Sequence, residues 1–167
     1  MAKEFEHWCD KQHQEPSDDN KFVIGDMAEK IFNDLEQYLL HDINKDLKLN
    51  FDDSEQDKIS KNYVVKRMYS ILDNAEKLEL YVKDANSIYG YYDVDFKMRR
   101  ERWLTARGLC FKLIAQLRHI SSITIKGTNL QKYVGISSRI YKLSFKIKNA
   151  MMADDKRKKK GCKKYLE

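Results

Sequence analysis

The side chains in this chain whose spacing forms a pattern for chemistry are cations, and that spacing says what chemistry it would be. Arg99, Arg100, Arg107 and Arg118 fall in one stretch, and Lys132, Arg139, Lys142 and Lys146 in the next. A last block holds Lys156, Arg157, Lys158, Lys159 and Lys160. On a helix advancing about 100° per residue, Arg100, Arg107 and Arg118 lie within about 20° of one another, and Lys132, Arg139, Lys142 and Lys146 within about 80°. Glu101 is the only acid between Phe96 and Met152, so neither stripe is countered on its own helix. Aligned ammonium and guanidinium groups fit the phosphates of a nucleic acid. They fit equally well an acidic surface on a second subunit. The rest of the chain bears on both readings: residues 1–96 carry 12 Lys and Arg against 22 Asp and Glu, a net of −10, while residues 97–167 carry 20 against 4, a net of +16. Such a division concerns partners and assembly rather than fold.

Reactive chemistry finds no comparable pattern. His7, Cys9 and His13 are close in sequence but lack a fourth ligand and any Cys-x-x-Cys, and read as incidental residues of a solvated tail. His41 and His119 are lone histidines on predicted helices, expected at the surface or the core edge. There is no glycine-rich phosphate loop, no His-x-x-x-His or Glu-x-x-His pair, and no serine or cysteine nucleophile signature. Cys110 falls on an apolar stripe and is expected to pack as a small hydrophobe; Cys9, Cys110 and Cys162 read as thiols. Asp52–Asp53 and Asp154–Asp155 look like caps at helix boundaries. No catalytic residue, metal site or cofactor is assigned, and a non-enzymatic binding protein is expected.

The elements that must carry the cations are helices. One proline and six glycines in 167 residues, with 35% charged and 42% hydrophobic, suit long amphipathic helices and not a turn-rich β fold. Residues 1–20 form a polar, flexible lead-in that ends in a helix-start signal around Ser17–Asn20. Helix one then runs from about Lys21 to Ile43, with Ile24, Met27, Ile31, Leu35, Tyr38 and Leu39 inward. After a cap at Asp52, Asp53 or Ser54, helix two covers about Glu55–Ser87, with Ile59, Tyr63, Met68, Ile71, Leu72, Ala75, Leu78, Val82 and Ala85 inward. Gly90 allows the chain to reverse, and Asp93 or Asp95 opens helix three, which turns Phe96, Trp103, Cys110, Leu113, Ile114, Leu117 and Ile120 to the core. Helix four spans about Leu130–Met152 with Tyr133, Ile136, Ile140, Leu143, Ile147 and Met151 inward. The prediction is an all-α, antiparallel up-down four-helix bundle over 21–153. It ends in a mobile basic tail, 154–167, with seven cations among the nine residues of Lys156–Lys164. Leu104, Phe111 and Ala115, together with Tyr141 and Phe145, widen the apolar sector beyond one core face and mark either a thick core or a contact surface. No apolar run approaches the length of about 18 residues that a membrane span needs, and no signal peptide is evident, so a cytoplasmic protein is expected.

Ala85-Asn86-Ser87-Ile88, the short link after it and Arg99-Arg100 resemble the accessory variability determinant (Avd) proteins of diversity-generating retroelements, which are related to the four-helix-bundle proteins encoded by rRNA intervening sequences. The likeness follows helix order from about Phe22 to Met152, and residues only from Ala85 to about Leu117. It implies a basic bundle that assembles as a homopentamer and binds a reverse transcriptase with its template RNA or RNA/cDNA hybrid. Such a protein supports mutagenic cDNA synthesis without being an enzyme. The acidic N-terminal half departs from that pattern. From the residues alone, an oligomer held by matched acidic and basic surfaces, with no nucleic acid bound, stays open beside it.

Overall fold

Apolar residues at steps of three and four create four long stripes, and the computed structural model, which describes residues 23–88 and 93–166, packs them into one core. Helix α1 spans Val23–His41 and closes on a π-helical turn, Asp42–Asp46. Helix α2 is Glu55–Ser87, α3 is Asp93–Ser121 and α4 is Tyr133–Leu166. Each helix packs on the next in the chain and α1 closes the ring against α4, giving the antiparallel four-helix bundle. The predicted lead-in with His7, Cys9 and His13, and the reversal at Gly90, lie outside the described residues.

The core is built as predicted on α4, where Tyr133, Ile136, Ile140, Leu143, Ile147 and Met151 are all buried, and on α3 from Trp103 to Ile120. Phe96 and Leu72 are half-buried. On α1, Ile31, Leu35 and Leu39 are buried while Tyr38 is exposed. The start of α2 corrects the prediction more sharply, because Ile59 and Tyr63 face solvent. The inward line there is Lys61, Val64, Met68, Ile71, Ala75, Leu78, Val82 and Ala85, a strict alternation of threes and fours that Ile59 and Tyr63 do not join. Lys61 can lie on that line because its stem is buried while its ammonium donates to Asp53 at 2.9 Å and to the Lys48 carbonyl at 3.2 Å. The α2 cap is Ser54, whose hydroxyl accepts from the Asp57 N–H while the Asp57 carboxylate accepts from the Ser54 N–H, a reciprocal capping box.

The basic tail is the other correction. Helix α4 does not stop near Met152 but continues to Leu166. Lysine and arginine are good helix formers. Asp154 and Asp155 are not boundary caps; they sit inside the helix and bond to Arg99 and Arg100 of α3. Lys158 adds an ion pair to Asp93 at 3.2 Å and lies over the Phe96 ring.

Candidate nucleic-acid interface

The predicted cations divide into two sets, and neighbouring helices make the division. On α3, Arg99 donates Nε to Asp154 at 2.7 Å and Nη1 to the carbonyls of Ala85 and Ile88, each at 3.0 Å. It thus caps the C-terminal end of α2, whose last carbonyls have no helical partner, and its guanidinium rests 5.5 Å from the Trp103 ring centroid. Arg100 meets both oxygens of Asp155, at 2.6 and 2.7 Å. On α4, Lys132 pairs with Asp42 at 2.8 Å and Arg139 with Asp34 at 2.7 Å, while Arg157 bonds Asp154 at 2.7 Å. Together with Lys158, six of the expected phosphate ligands are therefore held by carboxylates. Every one of those acids except Asp154 and Asp155 belongs to α1, to the π-helical turn after it or to the first turn of α3, and Asp154 and Asp155 lie beyond the stretch from Phe96 to Met152.

The other set makes no ion pair among the described residues. Lys142, Lys146, Lys156 and Lys159 on α4 and Arg118 on α3 are exposed, and Arg107 lies half-buried over the Phe111 ring at 5.4 Å. Lys142, Lys146 and Lys156 fall within about 80° on the outer face of α4, over about 21 Å of its length. The side chain of Lys160 is outside the described residues. Lys148, also exposed and unpaired, was missed by the stripe reading because it lies on the opposite flank of α4, beside the apolar residues.

Those apolar residues make a surface of their own. The pairs Arg99–Asp154 and Arg100–Asp155 set the antiparallel register of α3 on α4. In that register Leu104 stands level with Met152, Phe111 with Phe145 and Ala115 with Tyr141. Leu104, Phe111, Val134, Tyr141, Phe145 and Met152 are each about half exposed, and the Tyr141 and Phe145 rings meet edge to face at 5.0 Å. The wide apolar sector is therefore an outer face bordered by Arg107, Arg118 and Lys148, not an extension of the core.

Two buried polar groups anchor the ends. Asp42, with none of its surface exposed, accepts from Lys132 and from the Tyr133 hydroxyl at 2.5 Å. Burial first and that bond second push the Tyr133 phenol well above its ordinary pKa. His41, Asp42 and Asp46 place ligand atoms within 4.8 Å of one another, but both Asp42 oxygens are already occupied by donors. At the opposite end Trp103 is buried, and among the described residues its indole N–H finds no acceptor, a deficit of about 1–3 kcal/mol in a buried donor left unmatched. Beside it opens a groove of about 770 Å³. Cys110 packs in the core as predicted, its thiol pushed up to about 12 by burial. Both His41 and His119 are exposed, and His119 meets the Tyr63 hydroxyl at 2.7 Å.

Among the described residues no helix is long and apolar enough to cross a membrane. Comparison of the chain with profiles of known families, with curated proteins and with solved structures returns no match, so the Avd resemblance stands on the residues between Ala85 and Leu117 alone.

Proposed function

We propose that this protein is a non-enzymatic accessory subunit of a diversity-generating retroelement, binding template RNA and a reverse transcriptase in the cytoplasm as an oligomer of its own copies. The observation that carries the RNA half of the reading is the row of unpaired cations Lys142, Lys146 and Lys156 on the outer face of α4. A cation already held by a carboxylate gains little by exchanging it for a phosphate, whereas an unpaired one releases counterions from the nucleic acid on contact. The reverse transcriptase and a pentameric assembly rest on the resemblance. The half-exposed apolar face of α3 and α4 supports assembly in general, since contiguous apolar patches mark contact surfaces.

Binding of structured RNA should weaken steeply between about 50 and about 200 mM salt. The triple variant Lys142→Gln/Lys146→Gln/Lys156→Gln should flatten the logarithmic salt slope by about 2–3, at about 0.7–0.9 per lost phosphate contact. Binding that ignores salt, or that survives the triple substitution unchanged, would sink the proposal. The rival reading is an oligomer held by acidic and basic surfaces of different subunits with no nucleic acid bound, although six of the predicted ligands already pair with acids of their own chain. In that case high salt dissolves the oligomer and no RNA mobility shift is seen.

A further inference from the structure

The groove beside Trp103 lies where the start of α1, the end of α2 and the C-terminal half of α4 converge. Ile24, Val82 and Ala150 give it an apolar lining, and Lys146, Asn149 and Lys156 line it from α4. Among the described residues none of those three polar side chains makes a hydrogen bond or ion pair. Trp103, with its unmatched N–H, stands in the wall. Two free ammonium groups, a free amide and an apolar bed do not suit the regular backbone of a duplex, which would need only cations on a flat surface.

We infer that the groove holds one unpaired nucleotide of a bound RNA strand, its base on the apolar lining against the Asn149 amide and its two flanking phosphates on Lys146 and Lys156. The two lysines stand ten residues apart, about 15 Å along α4, a gap that their long side chains can narrow to the span of a single nucleotide. Asn149 offers both a donor and an acceptor to a base edge. Unstacked bases in loops and ends are the usual target where a protein reads RNA by pocket and not by groove. The inference rests on the RNA-binding reading above and narrows it to single-stranded RNA at this place.

The test uses the full chain. Trp8 and Trp103 are its two tryptophans, so Trp8→Phe leaves Trp103 as the sole reporter in the groove wall. A short single-stranded RNA should bind about tenfold more tightly than the same sequence closed in a duplex, and should change the Trp103 emission. Ala153, exposed in the same lining, permits a filling variant that the core does not feel. Ala153→Phe should weaken single-strand binding about tenfold and leave duplex binding unchanged. Equal binding of both RNA forms, with Ala153→Phe silent, overturns the groove inference and leaves RNA binding standing. If neither RNA binds, the RNA reading itself is overturned, and this inference with it. If removal of residues 1–22 shifts Trp103 emission without RNA while RNA leaves the full chain's emission unchanged, the groove belongs to the chain's own N-terminal segment and the inference fails.

Discussion

The two ends of the bundle use similar chemistry to different effect. At one end α4 sends Lys132 and Tyr133 to Asp42, a carboxylate with no exposed surface that closes the α1 end against α4. At the other, Asp154 of α4 takes Arg99 and Arg157, and Arg99 also reaches the last carbonyls of α2. The first end is sealed: the tyrosine fills the space beside the carboxylate and supplies the second hydrogen bond. The second end keeps an orphaned indole N–H and an open groove, with Lys146 and Lys156 unpaired in its lining. A buried carboxylate answered by an aromatic hydroxyl makes a lock. One answered by two arginines leaves the neighbouring space free for a ligand.

Removing the carboxylate from the sealed end should be the most damaging change. Asp42→Ala leaves the Tyr133 hydroxyl buried without an acceptor and Lys132 without its partner, and should cost about 3–5 kcal/mol of unfolding free energy, read from urea unfolding. At the open end Arg99→Ala removes the donor to two carbonyls and to Asp154, but Arg157 remains on that carboxylate. A loss of about 1.5–3 kcal/mol is expected there. If Arg99→Ala proves the costlier of the two, the description of one end as lock and the other as site is reversed.

How much of this was legible in the sequence differs along the chain. The inward face of α4 was fully readable, because its apolar residues recur without interruption from Tyr133 to Met151. The start of α2 was not: a lysine occupies the inward line, and periodicity counted on apolar residues alone slides to Ile59 and Tyr63, which are exposed. The basic stripes were legible as geometry and misleading as chemistry. A helical wheel shows acids on the same helix, whereas Asp34 reaches Arg139 from α1 and Asp42 reaches Lys132 from the π-helical turn after it, about a hundred residues earlier. The groove was not legible at all, since all four helices contribute to its lining and no single helix pattern encodes it. Trp103 was correctly placed on the core stripe, but only tertiary packing shows that its N–H is left without an acceptor.

Acid should loosen the sealed end in a defined direction. The Asn50 N–H first and the Lys61 ammonium second hold the Asp53 carboxyl below its ordinary value of 3.8. The folded state therefore releases this proton more readily than the unfolded chain does. The resulting stability is present above about pH 4 and is lost as the pH falls through the lowered folded value. Urea midpoints followed from about pH 5 to about pH 2 should drop less steeply in Asp53→Asn than in the natural sequence. An identical acid profile in the two proteins would mean that the Asp53–Lys61 contact contributes nothing to the acid dependence.

The smallest expected effect on stability separates paired from unpaired cations, and it bears most directly on function. Arg139 and Lys146 lie on the same basic stripe of α4, but Arg139 is bound to Asp34 across the helix interface and Lys146 makes no ion pair. Arg139→Gln should cost about 0.2–1 kcal/mol, the worth of a partly exposed pair, and should leave the salt slope of RNA binding unchanged. Lys146→Gln should leave stability within about 0.5 kcal/mol and lower the slope by about 0.7–0.9. The two substitutions remove the same charge from positions about two turns apart on one helix, so net charge alone predicts equal effects on RNA. Unequal effects in this direction would show that an acid on another helix decides which cations remain available to a ligand. Equal effects would mean that the Asp34 pair opens when RNA arrives, and that the whole stripe works as one surface.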